Sequence, residues 1–208
     1  MRETIQIIDA QTRASVDAEI FDEVALTHFI ETQAEWRPVI LAAARALSQQ
    51  PNQGLLIPRH FHWDWTRKEA ELKLLAVKFY GVAHEGKLQG IMKVETVAHS
   101  CRLPEQQGKP LVYIDYIESA PWNIEKLMVA LGQPQRFRAV GTRLFEAAVL
   151  QSQEEGFRGR LGLHSLPGSE GFYVNECGMT PVGRDPHKQN LLWCEFTPEQ
   201  AERYLAGE

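Results

Sequence analysis

The sequence lacks the features that mark several large protein classes. Its 208 residues include three cysteines, Cys101, Cys177 and Cys194, an odd and scattered set without paired ligand spacing. That pattern argues against a disulfide frame or a zinc site and fits reduced thiols of a cytoplasmic protein. No uninterrupted apolar run is long enough to span a membrane. The opening residues, Met-Arg-Glu-Thr-Ile-Gln-Ile-Ile-Asp, lack the apolar core of a secretion signal. There is no strongly basic stretch, and the formal net charge is −5 from 22 basic and 27 acidic residues. A broad electrostatic footprint for nucleic acid is therefore disfavoured. Internal repeats and low-complexity segments are absent too. What remains, 44% hydrophobic and 24% charged residues, is an ordinary globular composition, at a length ample for one hydrophobic core.

The order of elements is mixed. Residues 4 to 8 predict a short strand, and a helical region is expected from about Ser15, which can cap it ahead of Asp17 and Glu19. Trp36, Val39, Ile40, Ala43 and Leu47 recur at helical spacing behind Pro38, which suits a first turn. Residues 51 to 62 read as a connection. Residues 74 to 98 read as a hairpin turning at His84-Glu85-Gly86-Lys87. Residues 111 to 118, Leu-Val-Tyr-Ile-Asp-Tyr-Ile-Glu, form the best strand in the chain, dominated by β-branched and aromatic residues. From about Val140 to Glu155 a wide apolar face (Val140, Leu144, Phe145, Ala148, Val149) predicts a long amphipathic helix, ended by Gly156. A strand at 161 to 164, a helix around 170 to 176 and a strand at 190 to 196 follow. Thr197-Pro198-Glu199-Gln200 then opens a last helix as a capping box.

The informative stretch is Gln135 to Phe145, where a basic loop with small residues opens directly onto the long helix. Unpaired first-turn N–H groups and the positive end of the helix dipole favour phosphate. Ala139 and Gly141 let the backbone approach a pyrophosphate, and Arg136, Arg138 and Arg143 add suitable charge. The loop is neither a Walker loop nor a dinucleotide fingerprint. By itself it reads equally as a solvated helix start.

In its order of motifs the chain resembles the GNAT acetyltransferase superfamily, over roughly residues 75 to 183. Arg136-Phe137-Arg138-Ala139-Val140-Gly141 matches that family's Arg/Gln-x-x-Gly-x-Gly/Ala loop, except that Ala139 replaces the first glycine. The hairpin resembles the family's second and third strands, residues 111 to 118 its fourth, and residues 140 to 155 its central helix. Phe172-Tyr173 with Cys177-Gly178-Met179 resembles its aromatic-Tyr-x-x-x-Gly-Phe signature. Two departures stand out: about thirteen residues, 123 to 135, separate the fourth strand from the loop, and Tyr173 lies five residues before Gly178, one more than the commonest spacing.

The resemblance implies a single α/β domain over residues 1–208, with a variable N-terminal helical segment at about 10–65 and a cofactor-binding core at about 74–197. Its sheet would be mixed, mostly antiparallel, splayed at the fourth strand and flanked by helices. The implied activity is acetyl transfer from acetyl-CoA to a primary amine, on a small molecule or a protein. Arg136, Arg138, Ala139, Val140, Gly141 and Thr142 would cradle the phosphates, and the backbone from Ile117 to Ser119 would take the pantetheine arm. No metal, membrane or nucleic-acid partner is expected.

A lysine-like amine has a pKa of about 10.4, so deprotonating it at pH 7 costs about 4.6 kcal/mol. A positioned carboxylate lowers such a barrier, and Glu118, which ends the best strand where the family places a glutamate base, is the candidate. Alternation puts Val112, Ile114, Tyr116 and Glu118 on one face and Asp115 on the other, with Asp115 the reserve base if a bulge intervenes. The resemblance nominates Tyr173 to protonate the leaving thiolate. The alternative is a non-catalytic acyl-CoA-binding or protein-interaction module that keeps this fold. Trp63-Asp64-Trp65 could line an acceptor site but reads first as packing. His60-Phe61-His62 lacks partners for a metal, and His164-Ser165 lacks the Gly-x-Ser-x-Gly context of a hydrolase.

Overall fold

The computed structural model describes residues 1–49 and 60–207, so most of the connection expected at 51 to 62 lies outside them. The first expectation to be corrected is the helix at Ser15. Arg2–Asp9 (β1) and Ser15–Phe21 (β2) form an antiparallel hairpin, with Ile7 opposite Val16 and Ile5 opposite Ala18. Along β2 the exposed Asp17 and Glu19 alternate with the buried Ala18 and Ile20, a period of two that outweighs one capping serine. The Asp9 carboxylate accepts hydrogen bonds from the N–H groups of Gln11 and Thr12 (2.9 and 2.7 Å) and so shapes the turn.

Helical structure begins later. Leu26–Glu31 (α1) runs through a π turn at Thr32–Trp36 into Arg37–Ser48 (α2), with Pro38 in its first turn as its sequence suggests. A 3₁₀ segment, Trp65–Lys73, leads to Val77–His84 (β3) and Lys87–Glu95 (β4), then Val112–Ser119 (β5). The thirteen-residue insertion contains Glu125–Ala130 (α3), and Phe137–Arg138 (β6) pairs with β1, a two-residue strand that no sequence pattern announced. Val140–Glu154 (α4) ends before Gly156, whose φ of 75° belongs to the left-handed region. Leu161–Ser165 (β7), a π turn at Phe172–Glu176, Thr180–Asp185 (β8), Leu191–Phe196 (β9) and Pro198–Ala206 (α5) complete the chain. Thr197 caps α5 with the capping box that its sequence predicts. β8 escaped the sequence reading because Pro181 and Gly183 disfavour strands; it is an edge strand with a bulge between them, where both are tolerated.

Among the described residues, nine strands form one mixed sheet in the order β6-β1-β2-β3-β4-β5-β7-β9-β8, with β5 and β7 parallel. The β5–β7 register covers Val112 to Ile114 and goes no further. No helix among the described residues is long and apolar enough to cross a membrane.

Two compact units emerge: residues 1–74, 79–91 and 117–144, and residues 75–78, 92–116 and 145–208. β3, β4, β5 and α4 each contribute to both. The first unit buries Ile7, Phe21, Phe29, Trp36, Trp65, Phe79 and Ile91. Gly90 of β4 lies directly under α4: a Cβ there would stand 2.6 Å from Val140 Cγ1 and 3.0 Å from Leu144 Cδ1. Its missing side chain lets the first turn of α4 rest on the sheet. The second unit buries Met92, Leu111, Phe145, Leu161, Trp193 and Phe196.

Candidate active site

Glu118 is the point from which the first unit's chemistry is built. Strand alternation leaves Ile117 and Ser119 half-buried and Glu118 only 6% exposed. Its Oε2 accepts a hydrogen bond from the indole Nε1 of Trp65 at 2.6 Å. The Asp64 side chain fixes the start of the segment carrying Trp65 by accepting from Thr66 N at 3.0 Å. Burial raises the Glu118 carboxyl to about 7, and the Trp65 hydrogen bond works the other way. His60 Nε2 stands 4.0 Å from Glu118 Oε1, too far for a hydrogen bond. Burial, with help from the Lys126 and His62 charges, takes His60 down to about 4, so it is neutral at pH 7 and no counter-ion to Glu118. Among the described residues, Glu118 Oε1 accepts no hydrogen bond.

The carboxylate lines a narrow cleft with Thr32, Trp36, Arg37, Phe61, Trp63 and Trp65. Thr32 and Trp36 are the ends of the π turn between α1 and α2, a break in helical periodicity frequent at functional sites. Trp65 is the residue that sequence reasoning missed. Trp63-Asp64-Trp65 was visible as a cluster, but its link to Glu118 spans 53 residues and no local pattern encodes it. One consequence is measurable. Trp65→Phe removes a hydrogen bond that favours the ionised carboxylate, so the Glu118 pKa should rise further. The acid limb of any rate that requires ionised Glu118 should then move to higher pH, as a kcat/KM–pH profile would read.

The loop ahead of α4 is held from behind. Asn123, buried, accepts from Phe137 N through its Oδ1 at 3.0 Å, and its backbone oxygen accepts from Gln135 Nε2 at 2.8 Å. Gln89 Oε1 accepts from Trp122 Nε1 at 2.8 Å and Asn123 Nδ2 at 3.1 Å, which ties the insertion to β4. Ala139 has φ 68°, the left-handed conformation that glycine adopts without a steric cost. Its carbonyl accepts from Arg143 N at 3.0 Å, so α4 starts there and the N–H groups of Val140, Gly141 and Thr142 lie in its first turn. Arg136 is exposed, with its guanidinium 5.1 Å from the Trp122 ring, and Arg138 is exposed and bonded to Gln135 Oε1 at 3.2 Å. Neither is in an ion pair among the described residues. Arg143 is committed elsewhere: its Nε donates to the Gln6 carbonyl at 2.8 Å.

Among solved structures, one of a Desulfovibrio desulfuricans protein classed with the GNAT acetyltransferases is similar over 87% of this chain and 99% of its own, at 9% identity and a TM-score of 0.52. The chain has the GNAT fold. A tetramutant of the BH1408 protein of Bacillus halodurans is similar over 80% of this chain and 96% of its own, at 14% identity and a TM-score of 0.51. The PaiA N-acetyltransferase of Thermoplasma acidophilum in complex with coenzyme A is similar over 86% of this chain and 98% of its own, at 11% identity and a TM-score of 0.48. No family model and no curated protein matches the sequence.

The remaining candidates belong to the second unit of this GNAT fold. Asp115, the reserve base, accepts from Lys93 Nζ at 2.7 Å, and the same ammonium reaches Glu95 at 2.7 Å. With a nearly buried cation against it, Asp115 is a structural ion-pair partner. Tyr173 sits on the π turn Phe172–Glu176, five residues before Gly178. The side chain is buried, its ring centroid 6.4 Å from that of Phe145. Burial, with the neighbouring Cys177 and Cys194, pushes its hydroxyl well above the ordinary tyrosine range and keeps it protonated at neutral pH. His164 bonds to Tyr113 Oη (2.9 Å) and Asp185 Oδ2 (3.1 Å), while Ser165 Oγ donates to the Leu166 carbonyl, so the two form no nucleophile–base pair.

Proposed function

We propose that the protein is an acetyl-CoA-dependent N-acetyltransferase acting on a primary amine. The observation that carries this reading is Glu118: a buried carboxyl, brought to about 7, with one oxygen held by Trp65 and the other accepting no hydrogen bond among the described residues. A base poised near the working pH is what deprotonation of an ammonium acceptor needs. The loop supports the donor side. Its left-handed residue 139, the first-turn N–H groups of Val140, Gly141 and Thr142, and the guanidinium groups of Arg136 and Arg138 fit phosphate oxygens. The backbone at Ile117 and Ser119 would hold the pantetheine arm of the acyl donor.

In this mechanism Glu118 Oε1 takes a proton from the acceptor ammonium, directly or through a water. The free amine nitrogen then forms its bond to the acetyl carbonyl carbon. The carbon–sulfur bond breaks, the sulfur leaves with the electron pair, the reacting nitrogen gives up its second proton to water, and a proton from water converts the thiolate to the free thiol beside the neutral amide. Tyr173 would supply a hydrogen bond to that sulfur. Because burial makes its hydroxyl a weaker acid than an ordinary phenol, it serves better as a donor to the thiolate than as a full proton source. Tyr173→Phe should lower kcat more than it changes KM for acetyl-CoA, and an unchanged kcat removes Tyr173 from this role.

The decisive experiment pairs calorimetric CoA binding with thiol release from acetyl-CoA over a panel of amines. Binding with amine-dependent thiol release supports the enzyme. Binding without release across small amines, peptides and proteins favours a non-catalytic acyl-CoA-binding module. Absence of CoA binding rejects both.

A further inference from the structure

The cleft at Glu118 is small, with room for about one water molecule and not for an acceptor's carbon skeleton. Two buried polar atoms of the side chains that line it have no hydrogen-bond partner among the described residues. One is a donor: the indole Nε1–H of Trp36, a side chain 1% exposed. The other is an acceptor, Glu118 Oε1. Because the cavity holds a single molecule, both side chains border the same point. Thr32 lines it too. Its hydroxyl hydrogen is spent on the Phe29 carbonyl at 2.7 Å, which leaves the Oγ1 lone pairs to accept. The π turn, closed by the bond from Arg37 N to the Thr32 carbonyl, presents Thr32 and Trp36 to this one space. Gln33 and Phe61, which complete the lining on another side, are half-buried and lead toward solvent. Buried donors and acceptors are nearly always paired, and ordered water is the usual partner where the protein supplies none.

We infer that Trp36 is a positioning residue, whose indole N–H holds one water against Glu118 Oε1, and that the acceptor's proton reaches the carboxylate through this water. The inference rests on acetyl transfer taking place at Glu118. The water accepts from Trp36 and donates to Glu118 Oε1 and Thr32 Oγ1, so one lone pair is left for an ammonium N–H arriving from the half-buried side. When that N–H bond breaks, its proton joins the water oxygen. The water's O–H bond toward Glu118 breaks as its proton joins Oε1, which regenerates the water and leaves a free amine. The two indoles thus have separate tasks: Trp65 holds one carboxylate oxygen directly, and Trp36 serves the other through the water.

The first measurement needs no acceptor. In NMR spectra of the isotope-labelled, full-length protein, the Trp36 indole N–H should show a cross-peak to a bound water. Its chemical shift should titrate with a midpoint at about 7 as Glu118 ionises, a window that His60, at about 4, does not reach. Glu118→Gln should abolish that titration. A missing water cross-peak, or a Trp36 shift that stays flat through the window, overturns the inference and leaves acetyl transfer standing. The second measurement uses an amine that supports thiol release. Trp36→Phe should lower kcat by about 10-fold, the scale of one lost hydrogen bond. KM for acetyl-CoA should stay within about 2-fold of the wild type, which a misfolded protein would not manage. An unchanged kcat overturns the proton route through Trp36's water. Should Trp36→Phe fail to fold, the wild-type spectrum still decides. CoA binding without thiol release from any amine overturns acetyl transfer and the proton route together, whereas failure of the spectrum alone overturns only the bridge.

Discussion

Glu118→Gln should reduce turnover by about 10²- to 10⁴-fold, the usual contribution of a general base, while making the folded protein more stable above pH 7. The two effects have one cause. Burial raises the carboxyl from an ordinary 4.5 to about 7, so the folded state binds this proton more tightly than the unfolded chain does. A group whose folded pKa is raised contributes stability that is fully present below about 4.5 and lost as pH rises through about 7. Above that range the chain carries a buried carboxylate held by one indole hydrogen bond, a cost on the order of 3 kcal/mol for about 2.5 pH units. Glutamine keeps an oxygen for Trp65 and never ionises. At pH 8 its melting temperature should therefore exceed the wild type's by several degrees, and near pH 4 the two should converge. The wild-type rate should run oppositely, rising with pH through about 7 as the base ionises. A variant that loses activity and stability together at pH 8 would mean that Glu118 is a structural acid and not a poised base.

Ala139→Val should weaken coenzyme A binding by at least about 10-fold, whereas Ala139→Gly should bind as well as the wild type or better. At φ 68° alanine already occupies a region that costs an L-residue about 1–2 kcal/mol. A β-branched side chain is a genuine outlier there, so valine would force residue 139 out of the left-handed region. The N–H groups of α4's first turn would then be re-aimed away from the phosphates they are proposed to hold. Glycine removes the steric cost but adds freedom to the unfolded chain, worth about 0.4–1 kcal/mol in the opposite sense, so its net effect on stability should be small. Isothermal titration with CoA, alongside thermal melts, separates the two contributions. Valine binding at wild-type affinity would remove the loop from the phosphate site.

Much of this fold was readable because it is encoded over short distances. β5, the hairpin turning at Glu85-Gly86, the start of α4 and the capping box at Thr197 each rest on neighbouring residues, and each stands where its pattern places it. In β2, Ser15, Asp17 and Glu19 imitate a helix start; the pairing with β1 that decides the matter is a tertiary contact. β6 and β8 are too short or too rich in proline and glycine to be announced locally, and they exist because a neighbouring strand offers them hydrogen bonds.

The candidate site divides along the same line. By itself the sequence determined that a small-residue, arginine-bearing loop opens a long helix behind a strand ending in Glu118, since each feature depends on residue type and short spacing. Only the tertiary structure decided what those residues are. It set Trp65 against Glu118 and buried the carboxyl until its pKa approached 7. It gave Asp115 to Lys93 and Arg143 to the Gln6 carbonyl, and it lined the cleft with aromatic rings and Arg37. Proton affinity and pairing depend on what lies across space, and the chain supplies those neighbours only once it has folded.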